Sequence, residues 1–108
     1  MASVLVSEAD PDVRRLLVVL VERLGHEAVV LGPDAVIPPR ADLMLLEPGS
    51  PTCLEQARAA RAQAPDLPIV SLSLVPDSGA FLAEGPFEYL PKPFTVEQLR
   101  AVVQRRLG

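Results

Sequence analysis

Five short apolar runs alternate with segments that open on helix-capping residues, and this alternation leaves the chain few architectures. The runs are Ser3–Val6, Glu27–Leu31, Asp42–Leu46, Pro68–Leu74 and Phe87–Leu90. None approaches the roughly 18 apolar residues of a membrane span. Asp10-Pro11 and Ser50-Pro51 each set a capping side chain before a proline suited to the first helical position. Thr95 and Gln98 have the spacing of a capping box. After Asp10, Val13, Leu16, Leu17, Leu20 and Leu24 recur at helical spacing, and Gly25 suits the left-handed position that ends a helix. The helix opened by Ser50 is expected to reach about Ala64, with Leu54, Ala57 and Ala60 inward and Arg58 and Arg61 outward. The last helix is expected to turn Leu99, Val102, Val103 and Leu107 inward, and a short helix is expected over Asp77–Glu84.

Twelve prolines among 108 residues are about twice the usual share, and they fall between the apolar runs or at their edges. Pro33, Pro38 and Pro39 make a full helix across 32–40 impossible, so the second crossover is read as a loop or a single turn. The resulting order, β-α-β-(α)-β-α-β-α-β-α, implies a parallel sheet covered on both faces. One domain spanning 1–108 is expected from the length. Aromatics are scarce and Trp is absent, so the core is expected to be Leu, Val and Ala. Ten basic against 14 acidic side chains give a net charge of −4. That argues against a nucleic-acid or anionic-membrane surface. One cysteine and one histidine leave no disulfide framework and no zinc cluster. The N-terminus lacks a signal-peptide layout, and the expected location is cytoplasmic.

In a sheet of this kind, chemistry collects at the carboxyl ends of the strands. Glu8 follows the first run, Glu47 the third, Ser73 closes the fourth and Lys92 follows the fifth. Two carboxylates, a hydroxyl and an ammonium on one rim suit phosphoryl handling. Carboxylates can hold Mg²⁺ or act as nucleophile, while the hydroxyl and the lysine meet phosphoryl oxygens.

On these residues the sequence resembles the receiver domain of bacterial two-component response regulators. The segments that carry the likeness are VLVSEADPDVRRLL, ADLMLLEPG, LPIVSLS and FEYLPKPFTVEQL, and together they reach across essentially the whole chain. The resemblance implies a flavodoxin-like, doubly wound α/β fold with five parallel strands in the order 2-1-3-4-5. It places Lys92 on the family's lysine, Ser73 on its switch hydroxyl, Tyr89 on the aromatic that follows the switch, and Glu8 on the first acid of its acidic pair. A cis peptide after Lys92 would also match the family.

Three departures stand out. Ala9 falls where the family has its second acid, and Asp10, next along, is better placed to cap the first helix. Glu47 falls on the phosphoaccepting aspartate and is one methylene longer. The second helix is shortened or absent, and the loop after Glu47 and the helix at Asp77–Glu84 look abbreviated. Glu47 therefore has three readings: a phosphoacceptor, a carboxylate held by Lys92 in a fixed state, and an inert solvated acid. The metal donors implied by the resemblance shrink to Glu8, Glu47 and the Gly49 carbonyl, so no cofactor is expected, Mg²⁺ included.

The expectation is a non-enzymatic, receiver-like interaction module that has lost aspartate phosphorylation. It would contact a protein, whether a kinase, an effector domain or a second copy as a homodimer, through the face of the Asp77–Glu84 helix, the fifth strand and the last helix. The alternative is a working Mg²⁺-dependent phosphoacceptor served by a histidine kinase. A nucleotide-binding module is disfavoured because SEADPD has no glycine after the first strand. Cys53 is read as structural, His26 as a surface residue, and Arg58, Arg61, Arg100, Arg105 and Arg106 as solvated helix faces, the last three doubling as a docking surface.

Overall fold

The computed structural model describes residues 1–74 and 85–107. The apolar runs become β1 (Ser3–Ser7), β2 (Glu27–Val30), β3 (Leu43–Leu46), β4 (Ile69–Ser73) and β5 (Phe87–Pro91). The helices among the described residues are α1 (Pro11–Arg23), α2 (Pro51–Gln63) and α3 (Val96–Leu107). All neighbouring strands pair in parallel, in the order β2-β1-β3-β4-β5, as the alternation and the family likeness implied. The helix expected over 77–84 lies outside the described residues.

Local chemistry explains the helix ends. Asp10 accepts hydrogen bonds from the backbone N–H groups of Asp12 and Val13, which would otherwise have no partner at the start of α1. Ser50 does the same for Cys53 at the start of α2. Thr95 and Gln98 exchange side-chain and backbone bonds at 2.8 and 3.1 Å, the reciprocal pattern of a capping box. Gly25 leaves α1 with a φ of 87°, a conformation that costs glycine nothing.

Strand alternation sorts the core into two layers. Val4, Val6, Leu43, Leu45, Val70 and Leu72 face α1 and α3, where Leu17, Leu20, Val21, Leu99, Val102 and Val103 meet them. Leu5, Met44, Leu46 and Ile69 face the other side, against Cys53, Ala57 and Ala60 of α2. On that side 31–42 holds no helix. Leu31 and Ile37 plug the space instead, each more than nine-tenths buried. Burying a side chain of that size is worth about 1.5–3 kcal/mol, enough for a proline-stiffened strap to cover sheet without forming a helix.

Several facing assignments differ from those periodicity suggested. Leu16 is 37% exposed, and Val21 takes its place in the core. A 3.6-residue period defines a stripe, but the angle at which α1 meets the sheet decides which edge of that stripe is covered. On α2, Leu54 is only half-buried, while Cys53 and Gln56 are buried. Arg61 is not a solvated residue: it donates to the Pro86 carbonyl at 2.8 Å and packs against Gly85. Arg105 and Arg106 both bind Glu88 of β5, so they tie α3 to the sheet edge instead of standing free. His26 is half-buried, and its Nδ1 accepts the Ala2 N–H at 3.0 Å.

Candidate functional site

Glu8 and Glu47 lie just past the ends of β1 and β3, adjacent strands, and the Glu47 N–H extends that pairing by donating to the Ser7 carbonyl at 2.8 Å. Both carboxylates are thereby delivered to one rim. Lys92 arrives from the far side of the sheet, just after β5. Its Nζ donates to Glu8 Oε1 at 2.9 Å and to Glu47 Oε2 at 2.5 Å. One ammonium thus bridges two acids, leaving the triad with a net charge of −1. The Glu8 side chain is 1% exposed, and those of Lys92 and Glu47 are 18% and 17% exposed, so the triad is largely withdrawn from water.

The other carboxylate oxygens are also engaged. Glu8 Oε2 accepts the Asp10 N–H at 3.2 Å, and Glu47 Oε1 accepts the Gly49 N–H at 2.7 Å. A Cβ at position 49 would lie 2.7 Å from Glu47 Oε1. Glycine there lets the backbone close onto the carboxylate. For Lys92, burial of the ammonium pulls its pKa down, while the hydrogen bonds and negative charges of Glu47 and Glu8 push it up. The second effect wins, so its pKa lies above the ordinary lysine value.

Ser73 and Tyr89 come together as neighbours on β4 and β5. The Tyr89 hydroxyl donates to the Ser73 carbonyl at 2.7 Å, and the Lys92 N–H donates to the same carbonyl at 3.0 Å. The lysine loop and the aromatic of β5 are therefore pinned to one oxygen. Asp10 lines the mouth of the site with Ala9, Gly49 and Ser50, around an open cavity of about 360 Å³. The Asp10 carboxylate is spent on capping α1, so it supports the site through its backbone and gives no charge to Lys92.

Two contributors lie outside the residues singled out from the sequence. Arg14 donates to the Glu8 carbonyl at 3.3 Å from the first turn of α1. Gln56, 7% exposed, accepts the Ser7 hydroxyl at 2.5 Å and donates to the Gly32 carbonyl at 2.5 Å. It links the end of β1 to the proline-rich strap. A signal for it exists in the sequence: Cys53, Gln56, Ala57 and Ala60 follow the i, i+3, i+4, i+7 stripe of a buried face.

The donor set does not fit a divalent cation. Mg²⁺ asks for near-octahedral oxygen coordination, usually through one or two carboxylates with water. Here all four oxygens of Glu8 and Glu47 already accept N–H donors, Ala9 adds none, and a cation sits between the acids. Among the described residues no group of three or more His, Cys, Asp or Glu side chains is arranged for a metal. Nor is any described helix long and apolar enough to cross a membrane.

Comparison with known proteins gives a consistent picture. No family model matches the chain. The DNA-binding transcriptional regulator NtrC of Azospirillum brasilense is 33% identical over a 117-residue alignment that takes in 99% of this chain and 24% of that protein. The chain therefore spans about a quarter of the length of this curated relative. Among solved structures, NtrX from Brucella abortus superposes with a TM-score of 0.80 and 27% identity, covering 98% of this chain and 27% of that one. The chemotaxis protein CheY4 of Vibrio cholerae shares the fold at a TM-score of 0.77 and 24% identity, with 99% of each chain covered. A response regulator from Thermotoga maritima does so at 0.75 and 18%, covering 99% and 98%.

Proposed function

The chain is a receiver domain of the two-component response-regulator type, and we propose that within this family it is an interaction module that works without aspartate phosphorylation. The observation that carries this reading is the occupied state of Glu47. Its two oxygens accept bonds from Gly49 N–H and Lys92 Nζ, which hold the carboxylate in one orientation against the lysine. The extra methylene of glutamate also moves the carboxylate away from the position an aspartate would hold, and a misplacement of about 1 Å can cost about 100-fold in rate. The absent acid at Ala9 removes a further metal ligand. What remains is a fixed ion triad that pins the Lys92 loop, and through the Ser73 carbonyl the Tyr89 ring, in one arrangement.

In this role the chain, acting as a single domain over 1–108, would be recognised by a protein partner in the cytoplasm, either a kinase, an effector domain or a second copy. The partner would read surfaces around β5 and α3. No catalysis is assigned to it.

The test is exposure of the purified chain to acetyl phosphate, and separately to beryllofluoride, with Mg²⁺ present. Intact mass and fluorine NMR should show no adduct. A stoichiometric adduct on Glu47 would overturn the reading in favour of a working phosphoacceptor.

A further inference from the structure

We propose that the outer face of α1 is a self-association surface, on which a second copy of this chain pairs antiparallel, α1 against α1, about a two-fold axis between Leu17 and Val18. The inference goes beyond the proposed function. It rests on the order of side chains along one helix and not on Glu47, so a phosphoryl adduct on Glu47 would leave it standing, and it uses α1 in place of β5 and α3.

Asp12, Leu16, Val19 and Arg23 follow one another at spacings of four, three and four residues, so they form one stripe along α1. All four are exposed, Leu16 at 37% and Val19 at 39%, on a helix whose opposite face already lies in the core. Arg15 and Glu22, two turns apart and also exposed, share one flank of the stripe.

This stripe is its own complement. Asp12 and Arg23 stand at equal distances from the midpoint between Leu17 and Val18, and so do Leu16 and Val19. A two-fold axis through that midpoint reverses the second helix and sets each Asp12 on the other copy's Arg23. Leu16 and Val19 of both copies then meet at the centre and lose their contact with water. The same operation brings Arg15 within two residues, about 3 Å along the axis, of the other copy's Glu22 on the same flank. Parallel pairing would instead set Asp12 on Asp12 and Arg23 on Arg23, where like charges repel.

The charges of α1 are also unspent. Elsewhere on the described helices Glu55 pairs with Arg58 and Glu97 with Arg100, while Arg105 and Arg106 take Glu88. Among the described residues no ion pair involves Asp12, Arg15, Glu22 or Arg23, although Asp12 and Arg15 have the same three-residue spacing as the first two of those pairs. At each end of a paired α1, two acids and two arginines balance to zero.

Sedimentation velocity of the native chain from about 20 µM to about 1 mM should show a monomer–dimer equilibrium, weak as befits a small surface. Raising NaCl should weaken it further. Amide shift changes on dilution should gather on residues 12–23. Arg15→Glu and Glu22→Arg each set like charges against one another twice per dimer, and each should weaken association by about tenfold. Mixed in equal amounts, the two variants should recover it as a heterodimer, because opposite charges again meet across the axis. Their thermal midpoints should stay near the native value, since both positions are exposed. A native chain that stays monomeric at about 1 mM overturns the inference and leaves the stripe to a helix of another protein. So does a dimer whose shift changes fall on β5 and α3, or one that neither charge reversal weakens. A mixture that associates no better than the single variants overturns the antiparallel pairing, and the inference with it. Should either variant fail to fold, the dilution shifts of the native chain still decide which face associates.

Discussion

Lys92 and Glu47 stand 45 residues apart in the chain, yet Nζ and Oε2 meet at 2.5 Å, with Glu8 on the other side of the same ammonium. A pair this withdrawn from water gains little by forming, because both groups give up hydration. It loses much when one partner is removed, because the survivor is left uncompensated.

Lys92→Ala is therefore expected to destabilise the domain by about 1–3 kcal/mol. Adding Glu47→Gln should restore part of that loss, since the repulsion between Glu8 and Glu47 is then gone. Urea midpoints of the two single variants and the double variant check this. A midpoint unchanged by Lys92→Ala would mean the triad contributes nothing to stability.

The pH dependence follows from the raised pKa of Lys92. A lysine whose folded pKa exceeds its unfolded value stabilises the fold fully below the unfolded value, about 10.4. That contribution is lost as the pH rises through the folded value. The stability gap between the native chain and Lys92→Met should accordingly stay constant from neutral pH to about 10 and shrink only above it. Paired denaturation curves across that range measure the gap, and a gap that closes nearer neutrality contradicts the assignment.

Gly49→Ala would set a methyl group 2.7 Å from Glu47 Oε1 as it now stands. The carboxylate must move, straining its bond to Lys92 or losing the Gly49 N–H. A cost of about 1–3 kcal/mol is expected. In a Glu47→Ala background the same change should be nearly neutral, because the atom it collides with is gone. A double-mutant cycle isolates this coupling, and additive effects would exclude it.

Gln56→Leu keeps the volume of the side chain but strands the buried Ser7 hydroxyl and removes the bond to the Gly32 carbonyl, which keeps the Ala35 N–H. About 1–3 kcal/mol of destabilisation is expected. Ser7→Ala added to Gln56→Leu should return part of it, since one stranded group disappears. Hydrogen exchange should also rise in the strap at 32–40, which Gln56 anchors to β1.

Much of the molecule was legible in the sequence because the signals are local. The caps at Asp10, Ser50 and Thr95 act within four residues, and apolar runs bounded by proline mark the strands wherever they end up in space. The strand order implied by the family likeness puts Glu8 and Glu47 on adjacent strand ends, and with that order in hand their pairing with Lys92 could be foreseen from charge. Other features depend on distances that no local signal encodes. Whether Leu16 or Val21 is covered depends on how α1 lies across the sheet. Whether Arg105 and Arg106 are solvated depends on Glu88, which reaches them only because β5 forms an edge beneath α3. Gln56 was legible as a member of a buried stripe, but its partners, 49 residues away at Ser7 and 24 away at Gly32, exist only once β1, α2 and the strap are packed together. The sequence by itself determined where the elements begin and end and which chemistry sits at the strand tips, because those depend on neighbours in the chain. Only the tertiary structure decided which polar groups satisfy one another, because a buried donor finds its acceptor by packing and not by sequence distance.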